Sequence, residues 1–305
     1  MTMRWAGVMP AITTTFYRDY SINFDFVAAH CRWLVEHGCT AIVTPGSLGE
    51  GATLSDEEKC ELWEICVDAV GATAPVVAAI SALSTPSAIG LAKAAEQAGC
   101  SGLMVLPPYV YRGDWRETKT HMMAVINATP LSCMLYNNPI AYGTDFLPEN
   151  IAELAGECAN LHAVKESSAD VRRITAIRAM LGDRLAISVG VDDLVVEGVQ
   201  AGATGWVAGL VNALPKESVE LFQLALDGNR QGAADLYSWF LPLLRMDTVP
   251  KFVQLIKLVQ EEMGVGNARV RMPRMTLEGT ELAEARSIIR KVTGGKRYDL
   301  AFATH

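Results

Sequence analysis

Marking the apolar positions along the chain separates short strand-like runs from longer stretches in which apolar residues recur at helical spacing. The runs fall at residues 7–14, 40–45, 75–80, 102–107, 131–136, 161–165, 185–190 and 204–207. Between them, residues 24–36, 55–70, 86–98, 114–128, 148–154, 171–181 and 193–200 carry the period of amphipathic helices. Eight strands alternating with helices predict an α/β chain closed as a (β/α)8 barrel. The competing arrangement is a doubly wound open sheet. Its dinucleotide-binding form would need a G-x-G-x-x-G opening a helix after the first strand, and none stands there.

Local punctuation agrees with the alternation. Ser55 and Glu58 form a capping-box pattern, and Pro148 sits where a helix begins. Gly38, Gly99 and Gly202 each follow a helical stretch and precede a strand, as left-handed caps do. Their surroundings, HGCTAIV, AGCSGLM and AGATGWV, resemble one another, a faint repeat expected of like units. Beyond residue 207 the pattern is helical, at 218–226, 231–244, 249–262 and 277–292, and the first of these serves as the eighth barrel helix. The chain therefore divides into a barrel with the active site, residues 1–228, and a C-terminal helical subdomain and tail, residues 229–305. Residues 269–275, interrupted by Pro273, read as a connector, and residues 296–305 have no pattern.

Composition narrows the class. Half of the 305 residues are hydrophobic and a fifth charged, enough for a large core. No run approaches the roughly 18 apolar residues of a membrane helix, and the first ten residues lack the apolar stretch of a signal peptide, so a cytoplasmic protein is expected. A formal net charge of −8 without a basic run argues against a nucleic-acid surface. Seven scattered cysteines with no C-x-x-C read as reduced core residues. The five histidines offer no H-x-H or H-x-x-x-H pair, so no metal site is expected, and His30 and His37, one heptad apart, read as surface or interface residues.

In a barrel the working face lies where strands end, and there the chemistry collects. The run LHAVKESS, residues 161–168, sets Lys165 directly after apolar strand residues, with Glu166 and two serines that could start a helix. A buried unpaired ammonium is costly, which makes such a lysine a candidate nucleophile. Strand two ends in Gly46-Ser47-Leu48-Gly49-Glu50, a glycine turn suited to an anion, and strand four in Pro107-Pro108-Tyr109-Val110-Tyr111. Strand five ends in Tyr136-Asn137-Asn138-Pro139, and strand seven leads into Gly190-Val191-Asp192-Asp193. An amine that adds to a carbonyl, phenols that move protons and a turn that holds a carboxylate make a Schiff-base site for a small 2-oxo acid. Asp192 and Asp193 are expected to contact substrate hydroxyls, or to cap a helix.

Taken in order, GSLGE at 46–50, YNNP at 136–139 and the lysine of VKESS resemble the dihydrodipicolinate synthase and N-acetylneuraminate lyase family of class I Schiff-base barrels, over essentially the whole chain. The resemblance implies an imine on Lys165 with no external cofactor, Tyr136 as general acid/base, and Ser47 with the backbone N–H of Leu48 as the carboxylate cradle. It further implies that Tyr109 completes a relay from Tyr136 through Ser47 across a subunit interface, that the Val207 carbonyl faces the site, and that the protein is a homotetramer. Departures concern the substrate. Ile140-Ala141-Tyr142 stands where dihydrodipicolinate synthases carry an arginine, Leu48 replaces a hydroxyl, and the serine of sialate lyases near Gly209 is missing, although Gly190–Asp193 keeps their G-x-D-[DE] pattern. The combination is most similar to 1-pyrroline-4-hydroxy-2-carboxylate deaminases, which form 2-oxoglutarate semialdehyde from a cyclic imino acid. The alternatives are an aldolase cleaving a 2-keto-3-deoxy sugar acid or sialate-like substrate to pyruvate and an aldehyde, and a non-catalytic barrel that binds a small acid. Specificity is expected in Ala141–Gly143, Asp192–Asp193 and Trp206.

Overall fold

Eight parallel strands form one sheet in the order β1-β8-β7-β6-β5-β4-β3-β2 in the computed structural model, which describes residues 3–298 and 300. They are β1 (Gly7–Pro10), β2 (Ile42–Thr44), β3 (Val76–Ile80), β4 (Gly102–Val105), β5 (Ser132–Asn137), β6 (Leu161–Glu166), β7 (Ala186–Val189) and β8 (Gly205–Ala208). The ends of the order meet through a parallel bridge between Ala11 and Val43. Beside it Ile12 N–H donates to the Val43 carbonyl at 3.0 Å and Thr40 N–H to that of Val8 at 2.9 Å. These bonds close the barrel and exclude the doubly wound alternative, which would keep two unpaired edges.

Side chains alternate along each strand, and the alternation builds two cores. Met9, Val43, Ala79, Met104, Met134 and Ala163 fill the barrel interior. Their neighbours Val8, Ile42, Ala78, Leu103, Cys133 and Val164 point outward under the helices. On β6 this period puts Lys165 on the inner side with Ala163, and Glu166 on the outer side with Val164.

The barrel helices are α1 (Phe24–Glu36), α2 (Asp56–Val70), α3 (Thr85–Gln97), α4 (Trp115–Ile126), a short α5 (Pro139–Tyr142), α6 (Pro148–Glu157), α7 (Arg172–Leu181), α8 (Val195–Gln200) and α9 (Pro215–Leu226). The capping box of Ser55 and Glu58 opens α2, Pro148 opens α6, and Gly38, Gly99 and Gly202 have φ of 94°, 85° and 110°. After α9 come α10 (Arg230–Leu244), α11 (Phe252–Glu262) and α12 (Gly279–Thr293), whose Phe240, Leu243 and Ile256 join the outer core. Of the patternless tail, residues 299 and 301–305 lie outside the described residues, His305 among them.

Three local expectations change. The serines after Lys165 do not start a helix, because the buried Glu166 carboxylate takes the Ser168 N–H at 2.6 Å and Asn137 Nδ2 at 2.9 Å, which holds a turn until Arg172. The YNNP turn contains a helical turn, α5, capped by Asn138 through Ala141 N–H at 3.0 Å. His30 is not a surface residue: it is 1 % exposed, and its ring nitrogen meets the Asn212 carbonyl at 2.9 Å. That carbonyl belongs to the turn after β8, nearly two hundred residues away, so no local pattern announces it.

Burial pushes the His30 pKa down to about 4, against the usual 6.5. Below pH 6.5 the unfolded chain takes a proton that the folded chain refuses, so the His30 contribution is intact above pH 6.5 and is lost as pH falls toward 4. The loss reaches about 3 kcal/mol. Denaturant melts at pH 7 and pH 5 should show the decline, and His30→Gln should flatten it.

Candidate active site

Lys165 projects into the mouth of the barrel, paired in register with Tyr136 on β5 and Ser188 on β7. Its Nζ lies 4.2 Å from the centre of the Tyr136 ring, and the residue is 6 % exposed. Among the described residues three lysines are buried, and two are ion-paired: Lys59 with Asp56 at 2.9 Å and Lys257 with Glu50 at 2.6 Å. Lys165 has an aromatic face instead of a carboxylate partner, which leaves the amine available to a carbonyl carbon. Gly190 makes room for it. A Cβ there would stand 2.6 Å from Lys165 Cε and 2.7 Å from Cγ, and would strike Ser167 Oγ. Gly190 N–H donates to the Glu166 carbonyl at 3.0 Å, which fixes the end of β7 against the lysine strand.

Beside the lysine stand three phenols and a serine. Tyr136 Oη accepts from Asn138 Nδ2 at 3.0 Å. Tyr142, the last residue of α5, meets the rings of Tyr136 at 5.7 Å and Tyr109 at 5.6 Å, both edge to face. Its hydroxyl is hydrogen-bonded to that of Ser47. Within the one chain Tyr142 is wedged between Tyr136 and Tyr109, and its hydroxyl takes that of Ser47. Burial, then the neighbouring Tyr136 and Tyr109, push the Tyr142 phenol well above its usual range, so it stays a proton donor. Ala141, on the same turn, is exposed. Arg112, from the loop after β4, lies against Gly143, where φ is 71°.

The turn after β2 carries Ser47 and the buried Leu48 and is held from outside the barrel. Thr14 Oγ1 donates to the Gly49 carbonyl at 2.6 Å, and Glu50 takes a left-handed φ of 57°. Glu50 reaches Lys257 of α11, both without side-chain exposure, and accepts Arg271 N–H at 2.9 Å. Burial pushes the Lys257 pKa down to about 8 against the pull of Glu50.

On the other side of the mouth, Asp192, expected to contact substrate hydroxyls or to act as a cap, turns its carboxylate to donors of the protein itself. It is fully buried and accepts from Trp206 Nε1 at 2.9 Å, Gly209 N–H at 3.1 Å and Leu210 N–H at 2.8 Å, which caps the turn after β8. Burial raises its pKa to about 6 despite these donors. Asp193 lies 3.6 Å from Arg245 Nε. Val207 on β8 is buried in register with Met9. Among the described residues no group of three His, Cys, Asp or Glu side chains is arranged to hold a metal.

A sequence model of the dihydrodipicolinate synthetase family matches residues 4–292. The chain belongs to this family. Similar relatives include the 4-hydroxy-tetrahydrodipicolinate synthases of Methanothrix thermoacetophila, 31 % identical over 94 % of this chain and 97 % of that one, and of Desulforudis audaxviator, 32 % identical over 92 % and 95 %. Among solved structures, dihydrodipicolinate synthase from Bacillus anthracis superposes with a TM-score of 0.90 at 26 % identity, covering 95 % of this chain and 99 % of that one. The 4-hydroxy-tetrahydrodipicolinate synthase of Methylacidiphilum fumariolicum gives 0.89 at 26 %, covering 95 % and 98 %. Family membership makes the chain a class I Schiff-base lyase, in which a lysine imine takes the place of an external cofactor.

Two residues at the mouth escaped the sequence reading. Tyr142 was visible only as part of the segment replacing an arginine, and its contact with Ser47 depends on α5. Asp247, against Gly209, lies between two C-terminal helices with no motif around it.

Gly190→Ala should displace Lys165 and lower imine formation about 100-fold or more, read as borohydride-trapped adduct by mass spectrometry. Tyr142→Phe should leave trapping in place and slow turnover about 100-fold, because the hydroxyl bonded to Ser47 is gone. Equal turnover in Tyr142→Phe would remove the phenol from the reaction.

Proposed function

We propose that the chain deaminates and dehydrates 1-pyrroline-4-hydroxy-2-carboxylate to 2-oxoglutarate semialdehyde through an imine on Lys165. The observation that carries this reading is Tyr142, a phenol set against Tyr136, Tyr109 and Ser47, in the segment where dihydrodipicolinate synthases carry an arginine for a second carboxylate. A five-carbon imino acid has one carboxylate, and Ser47 with the Leu48 N–H is assigned to it. Lys165 attacks C2 and the ring opens to a free amine. Tyr136 carries protons to and from the lysine nitrogen and C3, and the 4-hydroxyl leaves as water to give C3=C4. Loss of a C5 proton and return of one at C3 convert the C5 amine to an imine, and two hydrolyses release ammonia from C5 and the 2-oxo acid from the lysine. One water is consumed in total.

Arg112 beside Gly143 favours a second reading, in which its guanidinium holds a second carboxylate and the chain forms the product for which its relatives are named. Assembly as a cytoplasmic homotetramer, a dimer of dimers, accompanies the first reading. Its support is the β4 loop, where Val110 is 90 % exposed with φ of 71° next to Tyr109, a conformation that a β-branched residue rarely adopts. Tyr109 is the residue assigned to reach a partner's site.

Borohydride reduction with pyruvate should add mass to Lys165. A turnover screen should give ammonia from the imino acid, rather than pyruvate from 2-keto-3-deoxy sugar acids or 4-hydroxy-tetrahydrodipicolinate. No adduct with any 2-oxo acid, together with equal ligand stabilisation of wild type and Lys165→Ala, would make the protein a binding barrel.

A further inference from the structure

Among the described residues four buried side-chain oxygens lack a hydrogen-bond partner: Thr44 Oγ1, Ser167 Oγ, Ser188 Oγ and Asp247 Oδ1. The first three are hydroxyls on or just after β2, β6 and β7. The fourth is a carboxyl, delivered by the 3-10 turn Arg245–Asp247 that follows α10. It fills the space that a side chain at position 209 would need: a Cβ on Gly209 would stand 2.5 Å from Asp247 Cγ and 2.9 Å from Oδ2. The missing serine near Gly209 is thereby replaced by an acid arriving from the C-terminal helices.

Two carboxyls meet at this point, and their surroundings divide the roles. Asp192 accepts three N–H donors and can carry the negative charge, whereas Asp247 Oδ1 has no donor and cannot carry it cheaply. The charged groups acting on Asp247 are Asp192, Lys165 and Asp193. Burial first, then the Asp192 charge, push the Asp247 carboxyl well above the carboxylate range, and Lys165 pulls it only partly back.

We propose that Asp247 is the general acid that protonates a hydroxyl leaving from the carbon β to the imine carbon, committing this site to elimination instead of carbon–carbon cleavage. The inference rests on the Schiff-base reading of Lys165. In this proposal C2 is held on Lys165 and C4 is turned toward Asp247, whose carboxyl lies close enough to Lys165 for their charges to interact. Loss of the C3 proton gives the enamine. The nitrogen lone pair then restores the C2=N bond, the C2=C3 pair becomes C3=C4, the C4–O bond breaks, and the departing oxygen takes the Asp247 proton and leaves as water. The Asp247 carboxylate recovers a proton before the next turnover. Retro-aldol cleavage of the same 4-hydroxy skeleton makes the opposite demand, removal of the hydroxyl proton by a base, which a protonated carboxyl cannot meet.

The test compares wild type with Asp247→Asn, which keeps the shape against Gly209 and removes the acid. Pyruvate, which has no β-hydroxyl, should still be trapped on Lys165 in the variant, establishing that the site is folded. Ammonia release from 1-pyrroline-4-hydroxy-2-carboxylate should fall about 100-fold or more, with the open-chain imine accumulating on Lys165. The wild-type rate should decline at high pH as the acid form is lost, and the residual Asn rate should lack that limb. Undiminished ammonia release with normal trapping overturns the role of Asp247 alone. Failure of wild type to trap any 2-oxo acid overturns the Schiff-base reading and this proposal together.

Discussion

The ion pair between Glu50 and Lys257 joins the turn of Ser47 and Leu48, proposed to hold the substrate carboxylate, to a helix more than two hundred residues later. Neither side chain touches water. A buried pair of this kind contributes little net stability compared with apolar residues of the same volume, but removing one partner strands a charge at a cost of about 3–5 kcal/mol. Its effect is therefore positional. Glu50 sits in a left-handed conformation that a non-glycine residue leaves readily, and Lys257 and the Arg271 N–H hold it there. The positions of Ser47 and Leu48 follow from that anchor.

The mouth of the barrel is then built from two unlike halves. On the β2–β5 side, hydroxyls and aromatic edges gather around Ser47, with Tyr142 as the central member. On the β7–β8 side, two carboxyls face a lysine across a glycine-lined gap, and backbone N–H groups turn to Asp192 while Asp247 Oδ1 has none. Lys165 lies between the halves without a salt bridge. Glycine at 190 and 209 is required there because neighbouring side chains occupy the space that a Cβ would take.

The architecture was legible in the alternation of short apolar runs and helical stretches, because a strand's period of two and a helix's period of 3.6 are local properties of sequence. Lys165, Tyr136 and the Ser47 turn were legible for a related reason: each stands at the end of its own strand. Tyr142 was not, since its partner lies 95 positions away and is reached only after α5 folds. For Asp192 two roles stood open, a hydroxyl contact and a cap, and its backbone donors at Gly209 and Leu210 belong to the next strand's turn, which carries no side-chain signature. His30 hides for the same reason, its acceptor being the Asn212 carbonyl.

The seam of the barrel is the narrowest part of its hydrogen-bond network. Between β1 and β2 there is one bridge, flanked by the Ile12 and Thr40 bonds, where the other neighbours share ladders. The strand that leads into the Ser47 turn is thus held weakly from its β1 side. What stiffens that edge comes from α11 and the connector after it, through Lys257 and Arg271. A chain that lost its last fifty residues would keep every strand and every group proposed to touch substrate, yet would hold the Ser47 turn only as firmly as the seam itself allows.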